Sequence, residues 1–196
     1  IILKQNTIKE INYIKGIAIV LVFIGHAATP SFLHRPYTYE FIVQLIYSMH
    51  MPLFFLVSGF LSYKIINIDS NKNYLTFIKR KLYKLGIPFL TFSFITNSII
   101  IISKYLFNDP ISISDFLDII KTVFLYPQNA PMGALWFLYT LLIINIITPL
   151  IIKLPSELII LISLLLNILM PKYIYFLSIS RVSFFLVYFF IGLYFR

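Results

Sequence analysis

The sequence predicts an all-α fold, a polytopic bundle of transmembrane helices. Of its 196 residues 60% are hydrophobic and only 12% are charged, whereas soluble domains carry roughly 25% charged residues. The mean hydropathy is +0.91. Apolar runs recur along the chain, and a helix of about 20 apolar residues crosses a bilayer. Because the sequence has no cysteine, it excludes disulfides, a thiolate nucleophile and a cysteine-based metal site.

The first apolar run covers about residues 10–28. Thr7 and Glu10 have the spacing of a capping box, so the helix can start at Thr7, and Pro30 is predicted to end it. The run lacks a small-residue cleavage site and further apolar runs follow it, so it is predicted to be a span rather than a cleavable signal peptide. The second predicted span covers about residues 41–63.

Four more spans complete the prediction. The third covers about 84–106 and the fourth about 133–153, and each is entered through a glycine and a proline. The fifth, about 156–170, lies between two prolines and is short for a straight span. The sixth, about 182–195, is also short. The sequence begins without methionine and stops directly after this run, so we expect it to be a truncated piece with more spans to follow.

Basic residues orient the predicted bundle with its N-terminus in the cytoplasm. They concentrate before the first span and between the second and third spans, at Lys4, Lys9, Lys15, Lys64, Lys72, Lys79, Arg80, Lys81 and Lys84. The loop after the first span has only Arg35. By the positive-inside rule, the N-terminus and the 64–84 loop are then cytoplasmic. The net charge of +9 therefore indicates membrane lipids rather than nucleic acid as a partner, in a multi-pass protein of the cell (plasma or inner) membrane.

A polar stripe on the first span is the best functional signal. Ten apolar or glycine residues separate Lys15 from His26, which places both side chains on one helix face roughly 17 Å apart. Asn12 lies within about 40° of the same line. Ionisable groups at membrane depth are costly and usually face a bundle interior or a wet cavity. His26 is thus a candidate general base, while a helix-end hydrogen bond and a proton relay in a transporter remain open.

Two groups of cations are candidates for binding a phosphate-bearing ligand on the cytoplasmic side. Lys15 is too far from His26 to touch the same atom, but it can hold the far end of a long donor; snorkelling to the headgroups is the alternative. The cluster Lys79-Arg80-Lys81, with Lys84, can form a phosphate-binding rim in which Arg80 offers a bidentate fork. Headgroup binding and topology setting are the alternative for this cluster.

Two further segments carry candidate supporting residues. Pro52 is predicted to interrupt the second span and free backbone carbonyls, and His50 before it is a second candidate base or ligand, or an interfacial residue. Ser58-Gly59 in the same span permits close helix approach. Trp136, the single tryptophan, opens the fourth span, where an interfacial aromatic anchor is the default interpretation.

Several catalytic motifs are missing from the sequence. It has no serine nucleophile elbow, no HExxH motif and no glycine loop that could cradle a phosphate. Two histidines in spans without an intramembrane aspartate or glutamate do not predict a metal site, and no resident cofactor is expected.

Four segments together resemble the acyltransferase family 3 integral membrane proteins. They are Lys15-Gly16-Ile17-Ala18-Ile19 with His26, Met51-Pro52-Leu53-Phe54-Phe55 with Ser58-Gly59-Phe60, Phe77-Ile78-Lys79-Arg80-Lys81 with Ile87-Pro88, and Leu135-Trp136-Phe137-Leu138. They occur in the order typical of the family. This chain departs from the common pattern at Lys15, where many members have arginine, although a sugar O-acetyltransferase branch uses lysine. It also departs at Asn12, where members often have aspartate. The asparagine removes an acidic partner from this position.

The resemblance implies a bundle of about ten spans, of which residues 1–196 would be the N-terminal part of one membrane acyltransferase domain. It implies an acyl-CoA donor, commonly acetyl-CoA, that enters from the cytoplasm as a co-substrate, and an acceptor hydroxyl on a glycan or lipid-linked sugar of the cell envelope. The resemblance also implies that the transferred acyl group is not an aminoacyl group. His26 would be the catalytic base or transient acyl carrier. Lys15, Arg80 and Lys81 would bind the donor phosphates.

Two other functions remain open at the level of sequence. Proline-broken spans and an intramembrane histidine also suit a transporter or exporter of lipid-linked sugars. A non-catalytic scaffold or inactive fragment is the third possibility.

Overall fold

The computed structural model describes residues 2–27, 36–62, 65, 71–131 and 135–195. Within these ranges the chain is helical and contains no strand, as predicted. The α-helices are α1 (Ile2–Ala27), α2 (Tyr37–Leu61), α3 (Asn71–Lys81), α4 (Ile87–Leu106), α5 (Ile113–Phe124), α6 (Trp136–Ile151), α7 (Ser156–Leu169) and α8 (Ile179–Tyr194). A π-helical turn covers Leu82–Gly86, and 3-10 turns cover Pro127–Asn129 and Phe176–Ser178.

Helix lengths separate the predicted spans into two groups. Four described segments are long and apolar enough to cross a membrane: Glu10–Ala27, Tyr37–Leu61, Asn73–Leu106 and Phe176–Tyr194. α6 and α7 are also apolar but shorter. The prediction that the sixth span is short was wrong, because a 3-10 turn extends it on the N-terminal side to 19 residues.

The basic segment between the second and third spans is a helix and not a loop, which corrects the prediction. α3 continues through the π-helical turn into α4, so one helical rod runs from Asn71 to Leu106. The glycine and proline that were expected to begin the third span instead lie at the π-helical turn. Pro88 has no N–H to give to a carbonyl four residues back, and Ile87 N–H bonds to the Leu82 carbonyl five residues back.

α5 was missed by the sequence prediction, which left the segment between the third and fourth spans as a loop. Its apolar residues recur with helical spacing, and charged or hydroxyl-bearing residues occupy the remaining positions. Ser112 and Asp115 form a capping box at its start, with Ser112 N–H donating to Asp115 Oδ2 at 2.9 Å. Lys104 Nζ, near the end of α4, donates to Asp115 Oδ1 at 2.6 Å. This ion pair ties α5 to α4.

The first two helices differ from the prediction at the start of α1 and at Pro52 in α2. α1 starts at Ile2 rather than at Thr7. α2 continues through Pro52, so the predicted interruption is wrong, although the missing N–H still deprives the Ser48 carbonyl of its helical partner. Pro30, predicted to end the first span, lies outside the described residues, as do Arg35 and Gly133.

The chain divides into two compact units. Unit 1 comprises residues 1–63 and 187–196, and unit 2 comprises residues 64–186. In unit 1, α1 packs on α2 along residues spaced by seven: Ile11, Ala18 and Gly25 on α1 and Val43, His50 and Val57 on α2 are all buried. In unit 2, the rod of α3 and α4 packs on α6, where Gly86 faces Leu142 and Tyr74 Oη donates to the Ile146 carbonyl.

Candidate functional site

His26 lies beside an aromatic residue of α2. Its ring centroid is 6.0 Å from that of Tyr47, in an edge-to-face arrangement. Tyr47 Oη donates a hydrogen bond to the Gly25 carbonyl at 3.1 Å. A Cβ added at Gly25 would lie 3.4 and 3.7 Å from the side chains of Ile46 and Tyr47, which is ordinary van der Waals contact and shows that α1 and α2 touch at this position. The hydrogen bond from Tyr47 to the Gly25 carbonyl therefore holds the backbone next to His26.

Tyr47 also contacts His50, so its ring is flanked by two histidines. The centroids of Tyr47 and His50 are 5.4 Å apart, and His50 is 1% exposed. His50 Nδ1 lies 2.6 Å from the Ile46 carbonyl oxygen, which can only accept a hydrogen bond. Neutral His50 therefore carries its proton on Nδ1 and keeps Nε2 as a basic nitrogen. We call the three rings of His26, Tyr47 and His50 the histidine–tyrosine cluster.

His26 is the accessible member of the histidine–tyrosine cluster. Its side chain is exposed, and Tyr47 is its ring contact among the described residues. His50 by contrast is buried and held by the backbone. The accessible ring can meet a substrate, while the buried ring can only support it.

The polar stripe of α1 runs along the border of the α1–α2 contact. Lys15 and His26 lie about 60–100° around the helix from the buried line of Ala18 and Gly25. Lys15 is half-buried, and Asn12 is exposed. The stripe thus flanks the packed face rather than lying opposite to it, which leaves its side chains reachable.

The basic cluster occupies the end of α3 and the π-helical turn, in unit 2. Lys79, Arg80 and Lys84 are exposed, whereas Lys81 is half-buried with its Nζ 5.2 Å from the Phe77 ring centroid. These cations lie close together on one continuous helical rod. π-helical turns are frequent at functional sites.

Trp136, expected to be an interfacial anchor, is half-buried and contacts two side chains of unit 2. Its indole stacks on Phe185 with centroids 5.6 Å apart and an interplanar angle of 23°. The Arg181 guanidinium carbon lies 4.1 Å above the same indole. Arg181 Nη1 is buried and has no hydrogen-bond partner in the described part of the chain. Sequence reasoning did not select Arg181, although a lone arginine at the start of an apolar run was a usable signal.

A strained turn fixes the start of α8, three residues before Arg181. Leu177 and Ser178 have φ angles of 50° and 53°, a backbone region that residues other than glycine rarely adopt. Ser178 Oγ donates to Gln128 Oε1 at 2.9 Å, and Leu177 N–H donates to the Leu125 carbonyl at 2.6 Å. These bonds hold the turn against the segment that leads toward Trp136.

Ser58-Gly59 lies where α2 meets residues of α8 in unit 1. A Cβ at Gly59 would overlap the Phe189 carbonyl, and a Cβ at Gly192 would overlap the Leu56 carbonyl. The close helix approach that this motif predicts is therefore confirmed for the glycine. Ser58 itself is half-buried.

Comparison with known proteins gives one match. A family model described as an acyltransferase domain matches residues 8–196, which include the polar stripe, the basic cluster and Trp136. No curated protein and no solved structure matches the chain.

Proposed function

The chain belongs to acyltransferase family 3, and on that premise we propose that it is a membrane enzyme that moves an acyl group, commonly acetyl, from acyl-CoA to a hydroxyl of a cell-envelope glycan or lipid-linked sugar. The observation that carries this proposal is the histidine–tyrosine cluster, in which an accessible imidazole stands beside a buried, backbone-held one. The protein would lie in the cell membrane with its N-terminus in the cytoplasm.

His26 acts as the general base in this proposal. Its imidazole takes the proton of the acceptor hydroxyl while the oxygen attacks the thioester carbonyl carbon. The tetrahedral intermediate then collapses, the C–S bond breaks, and the CoA sulfur leaves with the proton that His26 holds. The acyl group ends on the acceptor oxygen, and His26 returns to its neutral form.

Tyr47 and His50 position His26. The Tyr47 ring fills the space between the two imidazoles, and its bond to the Gly25 carbonyl fixes the backbone next to His26. A base held in one orientation needs less reorganisation to reach the acceptor proton.

The donor phosphates are bound by cations in this proposal. Lys15 lies on the same face as His26, roughly 17 Å along α1, and a nucleotide donor is long enough to span such a distance. Arg80 and Lys81, on the helical rod of unit 2, are the other cations proposed for phosphate binding. The Lys15 ammonium supplies a positive charge but not the bidentate geometry of an arginine. Asn12, one turn earlier on α1, is an uncharged neighbour.

The experiment that tests the proposal is acyl transfer from radiolabelled acetyl-CoA by the full-length protein in proteoliposomes. His26→Ala should abolish transfer, and His26→Gln should not restore it, because glutamine cannot accept the proton. Phe23→Ala, an exposed residue one turn earlier on α1, is the matched control and should keep wild-type transfer. Transfer by His26→Ala at wild-type protein level would refute the role of His26 as base.

One of the two supports for a transporter of lipid-linked sugars is weakened. That alternative rested partly on a second span broken at Pro52, and α2 is continuous there. Translocation of a lipid-linked sugar in proteoliposomes without acyl-CoA would be needed to revive it.

A further inference from the structure

Two cavities meet between α4 and α5, in unit 2. The larger has a volume of about 400 Å³ and is lined mainly by apolar side chains, among them Leu90, Phe94, Phe116, Ile120 and Phe124. The smaller has about 210 Å³ and is lined by Lys104, Asp115, Asp118, Thr122 and Asn129 with neighbouring apolar residues. Both include Asn97, Ile101 and Ile119 in their walls, so the two cavities adjoin. We call them together the groove between α4 and α5, with the larger, apolar cavity as its body and the smaller, more polar one as its mouth.

An unsatisfied hydroxyl lies in the apolar body of this groove. Ser93 is 3% exposed, lines the larger cavity, and its Oγ has no hydrogen-bond partner among the described residues. This hydroxyl has no hydrogen-bond partner whether the cavity is empty or holds an alkyl chain, so it does not oppose an apolar ligand. The next turn of α4 adds Asn97, 7% exposed, whose Nδ2 donates to the Ser93 carbonyl at 2.8 Å.

The polar positions share one face of α4. Ser93, Asn97 and Lys104 are separated by four and seven residues, which places them along one line roughly 16 Å long. Lys104 lies in the last turn of α4, so the mouth opens where the helix ends. A ligand in the groove would thus lie along the helix, with its polar end near the boundary of the span.

Charges at the mouth are already balanced. Lys104 pairs with Asp115 at 2.6 Å, and Asp118 pairs with Lys121 at 3.4 Å. Among the described side chains that line the mouth, no cation is therefore left unpaired to attract a phosphate. Carboxylate, amide and hydroxyl groups remain there as hydrogen-bonding partners. This chemistry suits a neutral headgroup that carries hydroxyls.

We propose that the groove between α4 and α5 binds a single-chain amphiphile, with its alkyl chain along α4 and a neutral, hydroxyl-bearing head at the mouth. The hydrophobic effect supplies the binding free energy through the apolar body. The mouth selects the head by hydrogen bonds. This site is independent of the proposed chemistry at His26.

The test uses dodecyl glucoside with a diazirine at the end of its alkyl chain, added to the full-length protein in lipid nanodiscs. After irradiation, mass spectrometry should find the label on peptides from α4 and α5. Excess unlabelled dodecyl glucoside should suppress this labelling. The matched dodecyl phosphate probe should label at least about fivefold less, because it brings an unpaired charge to a neutral mouth.

Paired variants separate a binding site from general contact with lipid. Ser98→Trp fills the groove and should lower labelling at least about tenfold, whereas Ile99→Trp, one residue on, is 61% exposed and outside the groove lining and should leave labelling unchanged. Thr122→Val should weaken the glucoside but not the phosphate probe. Labelling that competitor cannot saturate, that Ser98→Trp does not lower, or that favours the phosphate head would overturn the proposal. The competitor experiment needs no variant, so it decides even where Ser98→Trp fails to fold.

Discussion

The Tyr47 hydroxyl donates a 3.1 Å hydrogen bond to the Gly25 carbonyl and so links α2 to the residue that precedes His26. Two contacts that were not apparent from the sequence thus hold this part of α1: the bond to the Gly25 carbonyl and the edge-to-face contact between the rings of Tyr47 and His26. Because they can be removed separately, substitutions at Tyr47 distinguish the bond from the ring.

Tyr47→Phe removes the hydrogen bond and keeps the ring. We expect it to lower the free energy of unfolding by about 1 kcal/mol and acyl transfer by less than about tenfold. Tyr47→Ala removes both contacts and should reduce acyl transfer well beyond the phenylalanine variant. Transfer rates in proteoliposomes and chemical unfolding in detergent measure the two effects. Equal transfer by both variants would contradict a positioning role for the ring.

Substitutions of His50 can separate the roles of its two ring nitrogens. Asparagine can place a donor near the Nδ1 position, and glutamine can place a group near the Nε2 position. Because Nδ1 bonds the Ile46 carbonyl, His50→Asn should keep the wild-type melting temperature more closely than His50→Gln. If Nε2 supports catalysis, His50→Gln should retain more transfer than His50→Asn, and the pH profile of kcat should change in both variants. A profile identical to that of the wild type would assign His50 to packing alone.

The sequence allowed the six apolar helices to be predicted because each is a continuous run of mostly apolar residues, a signal that needs no tertiary information. It failed at α5 and α3, where amphipathic helices carry enough charge to resemble loops. It also failed at Pro52, because a helix can absorb a proline when its neighbours support the backbone.

The candidate site was predictable only in part. The spacing in α1 selected His26, since both ends of the stripe lie on one helix. Tyr47 and Arg181 were missed, because the contacts that give them a role cross between helices. No local pattern encodes which residue of α2 meets Gly25, or that Arg181 covers Trp136.

The glycines of α2 and α8 should tolerate no side chain. Gly59→Ala and Gly192→Ala would each push a methyl group into a backbone carbonyl, at Phe189 and Leu56 respectively. We expect each to lower the free energy of unfolding by about 1–3 kcal/mol. Gly16→Ala is the matched control, since nothing lies within 4 Å of a Cβ there. That variant should instead raise stability by about 0.5–1 kcal/mol through helix propensity. A neutral Gly59→Ala would show that the two helices separate freely.

The ion pair between α4 and α5 should give the protein an acid-sensitive contact. The hydrogen bond from Lys104, reinforced by Ser112, lowers the pKa of Asp115 from its usual value to about 2. Because the folded-state pKa is depressed, the stabilisation is present above about pH 4. It is lost as the pH falls toward 2. The melting temperature of wild type should therefore exceed that of Asp115→Asn at pH 6 and converge with it near pH 2. A constant difference over this range would contradict the ion pair.

We expect Arg181 to support acyl transfer without contributing to the stability of the protein. Its Nη1 is buried without a described partner, and such a nitrogen is costly even when the guanidinium rests on an indole. Arg181→Met keeps much of the apolar stem against Trp136 and removes the charge, so the melting temperature should stay equal or rise. Acyl transfer should fall, because a costly charge in an apolar helix is usually retained for function. Trp136→Phe, which weakens the stack but keeps the arginine, is the comparison and should lower the melting temperature. A clear drop in the melting temperature of Arg181→Met with unchanged transfer would make Arg181 a structural residue.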